Sequence, residues 1–168
     1  MRNTLVKVGL STAAAVLLMS SSAYAQATAN ASLNVTVNVA ARARLTLGAA
    51  AITFADQDPG TVPTLTATAL TVDVGARTSP AGNVALTVLA TGPLASGSNT
   101  IAINNLAWTS TGTGFAATGT SNATTAQSVG TWTGPGSRAG SQTYTLPNSW
   151  TYAVGTYTTT LNYTLSVP

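Results

Sequence analysis

The sequence predicts an all-β protein, a single antiparallel β-sandwich of immunoglobulin-like type with about 8–9 strands. Three observations support this. Apolar and polar residues alternate with a period of two along most of the chain, which is typical of half-buried strands. Thr, Val and Tyr are abundant, whereas Glu and Lys are absent from residues 26–168. Turn signals separate the alternating runs at nearly even spacing. A closed barrel is the alternative architecture.

Residues 1–25 have the order of a secretory signal peptide. Arg2 and Lys7 precede a mostly apolar stretch from Val8 to Met19, and Ala23-Tyr24-Ala25 follows it. The stretch is shorter than the roughly 20 residues that a bilayer-spanning helix needs. We therefore expect cleavage before Gln26 and export to the periplasm, the cell surface or the extracellular space. A retained membrane anchor is the alternative, and the mature chain offers no transmembrane segment.

Residues 26–168 are predicted to form one β-sandwich domain. A chain of this length buries about two thirds of its unfolded surface, so it can form a core of its own. The sequence contains no Cys, so disulfides cannot contribute to stability. Packing and ladder hydrogen bonds must hold the domain together.

The mature chain carries very little charge. Its surface polarity must come from Thr, Ser and Asn, because few side chains ionise. A nearly neutral chain offers no basic stripe for nucleic acid, so we expect no nucleic-acid partner. The charged residues after position 25 are Arg42, Arg44, Arg77 and Arg138 against Asp56, Asp58 and Asp73.

The longest alternating run covers residues 33–47. Its first half places four apolar side chains on one face, and these form a candidate assembly strand. A continuous strand of this length would extend about 50 Å, far more than an ordinary strand. The run is therefore expected either to break near Ala40-Ala41 and change sheets, or to project with its first half. The four apolar residues are Leu33, Val35, Val37 and Val39.

Eight further segments have the composition of strands, and Pro- and Gly-containing turns separate them. The Gly-, Thr- and Ser-rich stretch 109–125 is the least strand-like, and a mobile loop is expected there. The predicted strands are residues 51–54, 65–74, 83–90, 100–108, 114–118, 127–133, 141–146 and 156–167. The turns are 58–60, 79–82, 92–93, 134–136 and 147–148.

The two ends of the mature chain indicate a way for copies to associate. Residues 156–167 alternate cleanly, and an apolar edge strand either pairs inside its sheet or pairs with another molecule. The assembly strand of one subunit would then add to an edge or groove of the next. The more economical alternative is that both strands lie side by side within one sandwich.

The residues available for chemistry are few. Residues 26–168 contain no His, Cys, Glu or Lys, which removes the usual nucleophile–base pairs and the thiolate and imidazole metal sites. We therefore predict no catalytic residue, no cofactor and no metal, and a protein that is not an enzyme. Asp56 and Asp58 precede Pro59-Gly60, and a polar turn explains them more economically than a calcium site.

Aromatic residues are the other candidates for binding. Trp108 and Trp132 lie in predicted strands, where a Trp is usually part of the core. Trp150 and Tyr152 follow a Pro147-containing loop and are the candidate exposed pair. Such a pair stacks well on sugar rings, so glycans are possible partners.

Two segments carry a family resemblance. Residues 51–60 (AITFADQDPG) and residues 155–165 (GTYTTTLNYTL) resemble secreted bacterial surface proteins of the WxL-like and fimbrial-subunit kinds. The resemblance implies an exported immunoglobulin-like sandwich that binds or assembles through its surface. The expected function is a non-catalytic structural or adhesive envelope protein, with itself or other envelope proteins as partners. The alternative is a monomeric module that binds carbohydrate or another envelope component.

Overall fold

Eleven β-strands and one turn of 3₁₀-helix make up the part of the protein that the computed structural model describes, residues 27–168. The predicted signal peptide lies outside the described residues. Within residues 27–168 no helix is long and apolar enough to cross a membrane. All strands belong to the unit Asn38–Pro168. The fold is all-β and antiparallel, as the sequence predicts.

The strands follow one another in chain order with short connections. They are β1 (Arg42–Leu47), β2 (Thr64–Thr66), β3 (Leu70–Arg77), β4 (Asn83–Ala90), β5 (Leu94–Ser96), β6 (Asn99–Ile101), β7 (Ala107–Thr111), β8 (Thr118–Thr120), β9 (Gln127–Thr133), β10 (Gly136–Pro147) and β11 (Leu161–Ser166). The 3₁₀ turn covers Ile103–Asn105.

Two sheets form the sandwich. The larger has the order β1-β3-β10-β7-β8, with β2 pairing to the end of β10. The smaller has the order β11-β4-β9, and β5 and β6 form a separate hairpin. Every ladder between named strands is antiparallel.

The core lies between the two sheets and follows from the period of two. On β3 and β4 alternate residues are buried, so each strand presents one face to the other sheet. Val72 and Val74 of β3 belong to the same buried cluster as Val84 and Leu86 of β4. Each such side chain contributes roughly 1.5–3 kcal/mol by leaving water. Burial of these alternating side chains is the main stabilising term of a chain without disulfides.

One side of the sandwich is closed by backbone contacts between the sheets. The loop between β7 and β8 lies along β9, where the Ala116 amide donates to Val129 O at 2.8 Å and the Thr131 amide donates to Gly114 O at 2.9 Å. Gly112, with φ of +111°, permits the turn that brings the loop there. The opposite side differs, because no ladder joins β1 to β11 within residues 27–168.

The differences from the predicted strands have local reasons. Residues 83–90 and 127–133 are strands with the predicted bounds. The run 33–47 breaks at Ala41, and β1 begins at Arg42. Residues 51–54 form no strand, because the ladder of β1 with β3 ends at Leu47 and nothing pairs beyond it.

The Gly- and Thr-rich stretch contains more regular structure than predicted. It holds the end of β7 and all of β8, instead of one long loop. Gly119 of β8 lies opposite Trp108 of β7, and a Cβ at this glycine would be 2.1 Å from Trp108 Cζ2. The small residues of β8 therefore leave room for the indole. The predicted strand 65–74 is divided between β2 and β3, and the predicted strand 100–108 is divided between β6 and β7 by the 3₁₀ turn. β5 was not predicted, so the strands number eleven instead of about 8–9.

Candidate functional site

The predicted assembly strand forms no strand in the described chain. We refer to residues 33–39 as the amino-terminal run. None of its residues is assigned to a ladder, and its polar residues are exposed as well as its apolar ones. The apolar side chains are exposed to 87% (Leu33), 78% (Val35), 76% (Val37) and 65% (Val39). Only Ala40 and Ala41 separate the run from β1.

A groove of about 1080 Å³ lies on the open side of the sandwich. Residues 49–54 and 56–59 line it from one side, and residues 148–150 and 152–161 line it from the other. Its floor is mainly apolar and aromatic. The floor residues include Leu47, Leu65, Leu70, Leu94, Ile101, Leu106, Tyr144, Leu146 and Tyr163.

Both walls of the groove carry backbone groups without a partner. β11 pairs with β4 along one edge, and no strand of the described chain pairs with its other edge. On the facing wall, residues 49–56 make no backbone hydrogen bond within the described chain; the nearest is that of the Gly48 amide to Thr71 O. Unpaired extended backbone is the element to which another strand adds.

The facing wall also contributes apolar side chains. Ile52 and Phe54 are half-buried, and both pack against the core cluster. Leu161, Tyr163 and Leu165 of β11 are half-buried in the same way. The groove thus exposes a partly covered core between two edges, and an apolar strand placed there would complete the burial.

A polar cluster joins the two sheets beneath the groove. Tyr163 of β11 donates its hydroxyl proton to Gln142 Oε1 of β10 at 2.5 Å. The Tyr144 hydroxyl lies 2.5 Å from that of Tyr163, and it must donate, because the single Tyr163 proton is already used. Burial raises the pKa of Tyr144 to about 12, against a smaller opposite effect of the hydrogen bond to Tyr163. Burial also raises the pKa of Tyr163, and the neighbouring Tyr144 adds to the increase.

Asp56 and Asp58 lie at one end of the groove in a polar turn. Asp58 Oδ1 accepts the Gly60 amide at 2.7 Å, and Asp58 O accepts the Val62 amide at 2.8 Å. The Asn148 side chain donates to Gln57 O and Val62 O, both at 3.0 Å, which attaches the turn to the end of β10. Within the described residues no three His, Cys, Asp or Glu side chains come together in a way that could hold a metal ion.

The four aromatic candidates are distributed as follows. Trp108 and Trp132 are buried in the core, with Trp108 at 1% exposure. Trp150 lines the groove and is 76% exposed. Tyr152 also lines the groove, but it is half-buried and packs against the core cluster. Trp150 is therefore the exposed aromatic of this site, and Tyr152 supports the wall.

The groove itself was not predicted from the sequence. The segment 51–54 has the alternation of a paired strand, and the period of two does not reveal whether a neighbouring strand exists. The contact of Tyr163 with Gln142 and Tyr144 was not predicted either. β10 and β11 belong to different sheets, and no local pattern shows that their side chains meet. The one available signal was the clean alternation of residues 156–167, which indicates an edge in need of a partner.

The fold and this groove define an all-β sandwich with one open side. No protein-family model matches the sequence, and no curated protein matches it significantly.

Proposed function

We propose that this protein is a non-catalytic structural protein of the bacterial envelope or extracellular surface, and that its copies assemble into fibres by strand exchange. In this proposal the chain is exported by its amino-terminal segment and reaches the periplasm, the cell surface or the medium. The observation that carries the proposal is the match between the amino-terminal run and the groove. The run exposes four apolar side chains at alternate positions and belongs to no ladder, and the groove is mainly apolar and lies between unpaired backbone edges.

Length and pattern support this match. Seven residues paired as a strand would measure about 23 Å, and the last part of the chain contributes seven residues to the groove, 156–161 and Tyr163. Every second residue of the run is apolar, so one face would enter the groove while Asn34, Thr36 and Asn38 stay in water. Strand addition also gives the unpaired groups of β11 hydrogen-bond partners.

Stable association requires both the burial of apolar side chains and the backbone hydrogen bonds of an added strand. Burying Leu33, Val35, Val37 and Val39 would stabilise the complex by on the order of 1.5–3 kcal/mol per side chain. Association costs roughly 4–15 kcal/mol in lost freedom, so apolar burial alone does not ensure tight binding. The backbone ladder along β11 must supply the rest.

The residue types present in the described chain support a protein without catalytic activity. Residues 27–168 contain no His, Cys, Glu or Lys. Asp58 is engaged in the turn described above, and Asp73 lies on the outer side of the large sheet among residues of a different pocket. A carboxylate pair of the kind used in acid–base catalysis would have to combine Asp73 with Asp56 or Asp58.

A charge placed on either face of the run tests the proposal. The chain is expressed from its full sequence in a bacterial host, and purified wild-type, Val37→Asp and Thr36→Asp proteins are compared by analytical ultracentrifugation and negative-stain microscopy. We expect filaments or large oligomers for wild type and Thr36→Asp, and monomers for Val37→Asp, since only Val37 would enter the groove. Equal assembly of the two variants, or a monomeric wild-type protein, would refute strand exchange.

A second candidate function rests on Trp150. A largely exposed indole beside a groove is a common platform for a sugar ring, and Asn148 and Asp56 nearby offer hydrogen-bonding groups. The protein would then act as a monomeric module that binds a glycan or another envelope component. A glycan array with wild type and Trp150→Ala tests this: binding that is lost in the variant supports it, and an array without hits for wild type argues against it.

A further inference from the structure

The four arginines of the described chain gather at one end of the large sheet. Arg42 of β1 lies directly opposite Arg77 of β3. Two residues along, Arg44 lies opposite Gly75, and its Nε is 3.6 Å from where a Gly75 Cβ would be. On the next strand, Arg138 of β10 pairs with Val74 of β3. Arg44 and Arg138 line the same pocket of about 360 Å³. We call Arg42, Arg44, Arg77 and Arg138 the positive pole.

Asp56 and Asp58 lie at the other end of the sandwich, and we call them the negative pole. Their turn is attached by Asn148, the residue after β10, through its bond to Gln57 O. The positive pole includes Arg138, near the start of β10. Roughly 30 Å of extended chain separates Arg138 from the end of β10 at Pro147. The two groups of charges are therefore at opposite ends.

Arg42 and Arg77 lie directly opposite each other, and like charges in such a position on neighbouring strands are destabilising. Asp73, the third carboxylate, lines the same pocket as Arg44 and Arg138 and can offset their charge. It lies opposite Thr46 and Ala139 in register, four residues along β3 from Arg77, so it is not beside the Arg42–Arg77 pair. A negative partner from outside the subunit would offset the repulsion between Arg42 and Arg77.

The direction of β11 determines where such a partner would lie. Thr78, next to Arg77, donates its hydroxyl to Pro168 O at 2.9 Å, so the chain after β11 ends at the positive pole. β11 therefore begins near the negative pole. A strand that adds antiparallel to β11 runs the other way and finishes near the negative pole, and antiparallel pairing is slightly the more stable kind.

We infer that the positive pole of one copy contacts the negative pole of the next, and that this contact sets the head-to-tail polarity and the register of the fibre. The inference rests on the strand exchange proposed above. When the run of one copy lies antiparallel to β11 of its neighbour, Val39 is at the negative end of the groove. Arg42 follows three residues later, about 10 Å away at most. At low salt the Debye length, about 30 Å at 0.01 M, exceeds this spacing, so Arg42 is attracted to the carboxylates of the negative pole, and added salt weakens the attraction. A head-to-tail contact that does not close produces an open filament.

Charge reversal with rescue tests the inference. The full chain is prepared as wild type, Arg42→Asp, Asp56→Arg and the double variant with both changes, and assembly is followed by light scattering at low and high salt. Asp56 is exposed and its side chain makes no hydrogen bond within the described residues, so its replacement leaves the turn in place. Ser128→Arg is the control, because it also adds a positive charge but lies exposed on β9, opposite Thr87 in the middle of the small sheet and away from both poles.

We expect each single reversal at a pole to slow assembly roughly tenfold at low salt, and the loss to shrink as salt rises. The double variant restores the rate, because residues 42 and 56 again carry opposite charges at every junction, and Ser128→Arg assembles as wild type does. Unchanged rates in both single reversals would overturn the inference while leaving strand exchange intact. Slowing without rescue would overturn it too, since the arginines would then contact something other than the negative pole. Wild-type protein that does not assemble at all, with Val37→Asp no different, would overturn strand exchange itself.

Discussion

The hydroxyl of Tyr163 on the edge strand β11 lies 2.5 Å from that of Tyr144 on β10 and donates to Gln142 of the same strand. This is a polar contact between the two sheets in an otherwise apolar interior. It holds the edge strand against the large sheet where the groove is open. The edge strand β11, which would pair with a second copy, is therefore held in place by contacts within a single subunit.

Removing the Tyr163 hydroxyl should reduce stability. In Tyr163→Phe, Gln142 Oε1 loses its donor and Tyr144 loses its acceptor, both in buried positions. We expect a loss of about 1–3 kcal/mol in the free energy of unfolding, measured by urea denaturation. Tyr157→Phe is the control, because its hydroxyl bonds to Ala153 O in an exposed position and should matter less. Equal losses in the two variants would contradict the importance of the cluster.

The same tyrosines should make stability fall in alkaline solution. Their folded-state pKa values lie above the ordinary value of 10.0, and that of Tyr144 is about 12. Between these values the unfolded chain loses protons that the folded chain keeps, so the unfolding free energy decreases as pH rises. The stabilisation is complete below pH 10 and is lost progressively towards pH 12, by up to about 2–3 kcal/mol for Tyr144. Urea midpoints measured at intervals across this range should fall more steeply for wild type than for Tyr144→Phe; parallel slopes would refute the assignment.

Gly119 should not tolerate a side chain. An alanine Cβ would lie 2.1 Å from Trp108 Cζ2 and 2.5 Å from Cε2, so the buried indole would have to move. We expect Gly119→Ala to lower the unfolding free energy by about 1–3 kcal/mol or more, in line with other overpacked cores. Gly92→Ala is the matched control, because no atom lies within 4 Å of its Cβ position. Thermal unfolding of the two variants measures the difference, and a Gly119→Ala melting curve like that of the control would count against this packing.

A synthetic peptide of residues 30–41 should compete for the groove. It carries the whole amino-terminal run, so it should bind beside β11 and slow the assembly of the wild-type chain. Binding should change the near-ultraviolet circular dichroism, because Tyr144, Trp150 and Tyr163 line the groove. The same peptide with Val37→Asp should neither bind nor inhibit. A Val37→Asp peptide as active as the parent would show that the apolar face does not enter the groove.

The parts of the fold that could be predicted from the sequence are those decided locally. β4 and β9 have the predicted bounds, since strong alternation is flanked by turn residues in both. The Asp56–Gly60 turn also follows from local chemistry, because an Asp side chain accepts the amide two residues on. Residues 51–54 show the limit of such reasoning. They alternate like a strand, yet no neighbour pairs with them, and pairing depends on residues distant in sequence.

By itself the sequence determined that this chain is all-β, that Trp108 and Trp132 belong to the core, and that residues 33–39 carry one apolar face. Each of these follows from a period or a composition that neighbouring residues define. Only the tertiary structure decided that one side of the sandwich is open, that Tyr163 joins the sheets beneath it, and that the four arginines lie together. The physical reason is that strand order and register bring together residues far apart in the chain, and no local pattern encodes which edge remains without a partner.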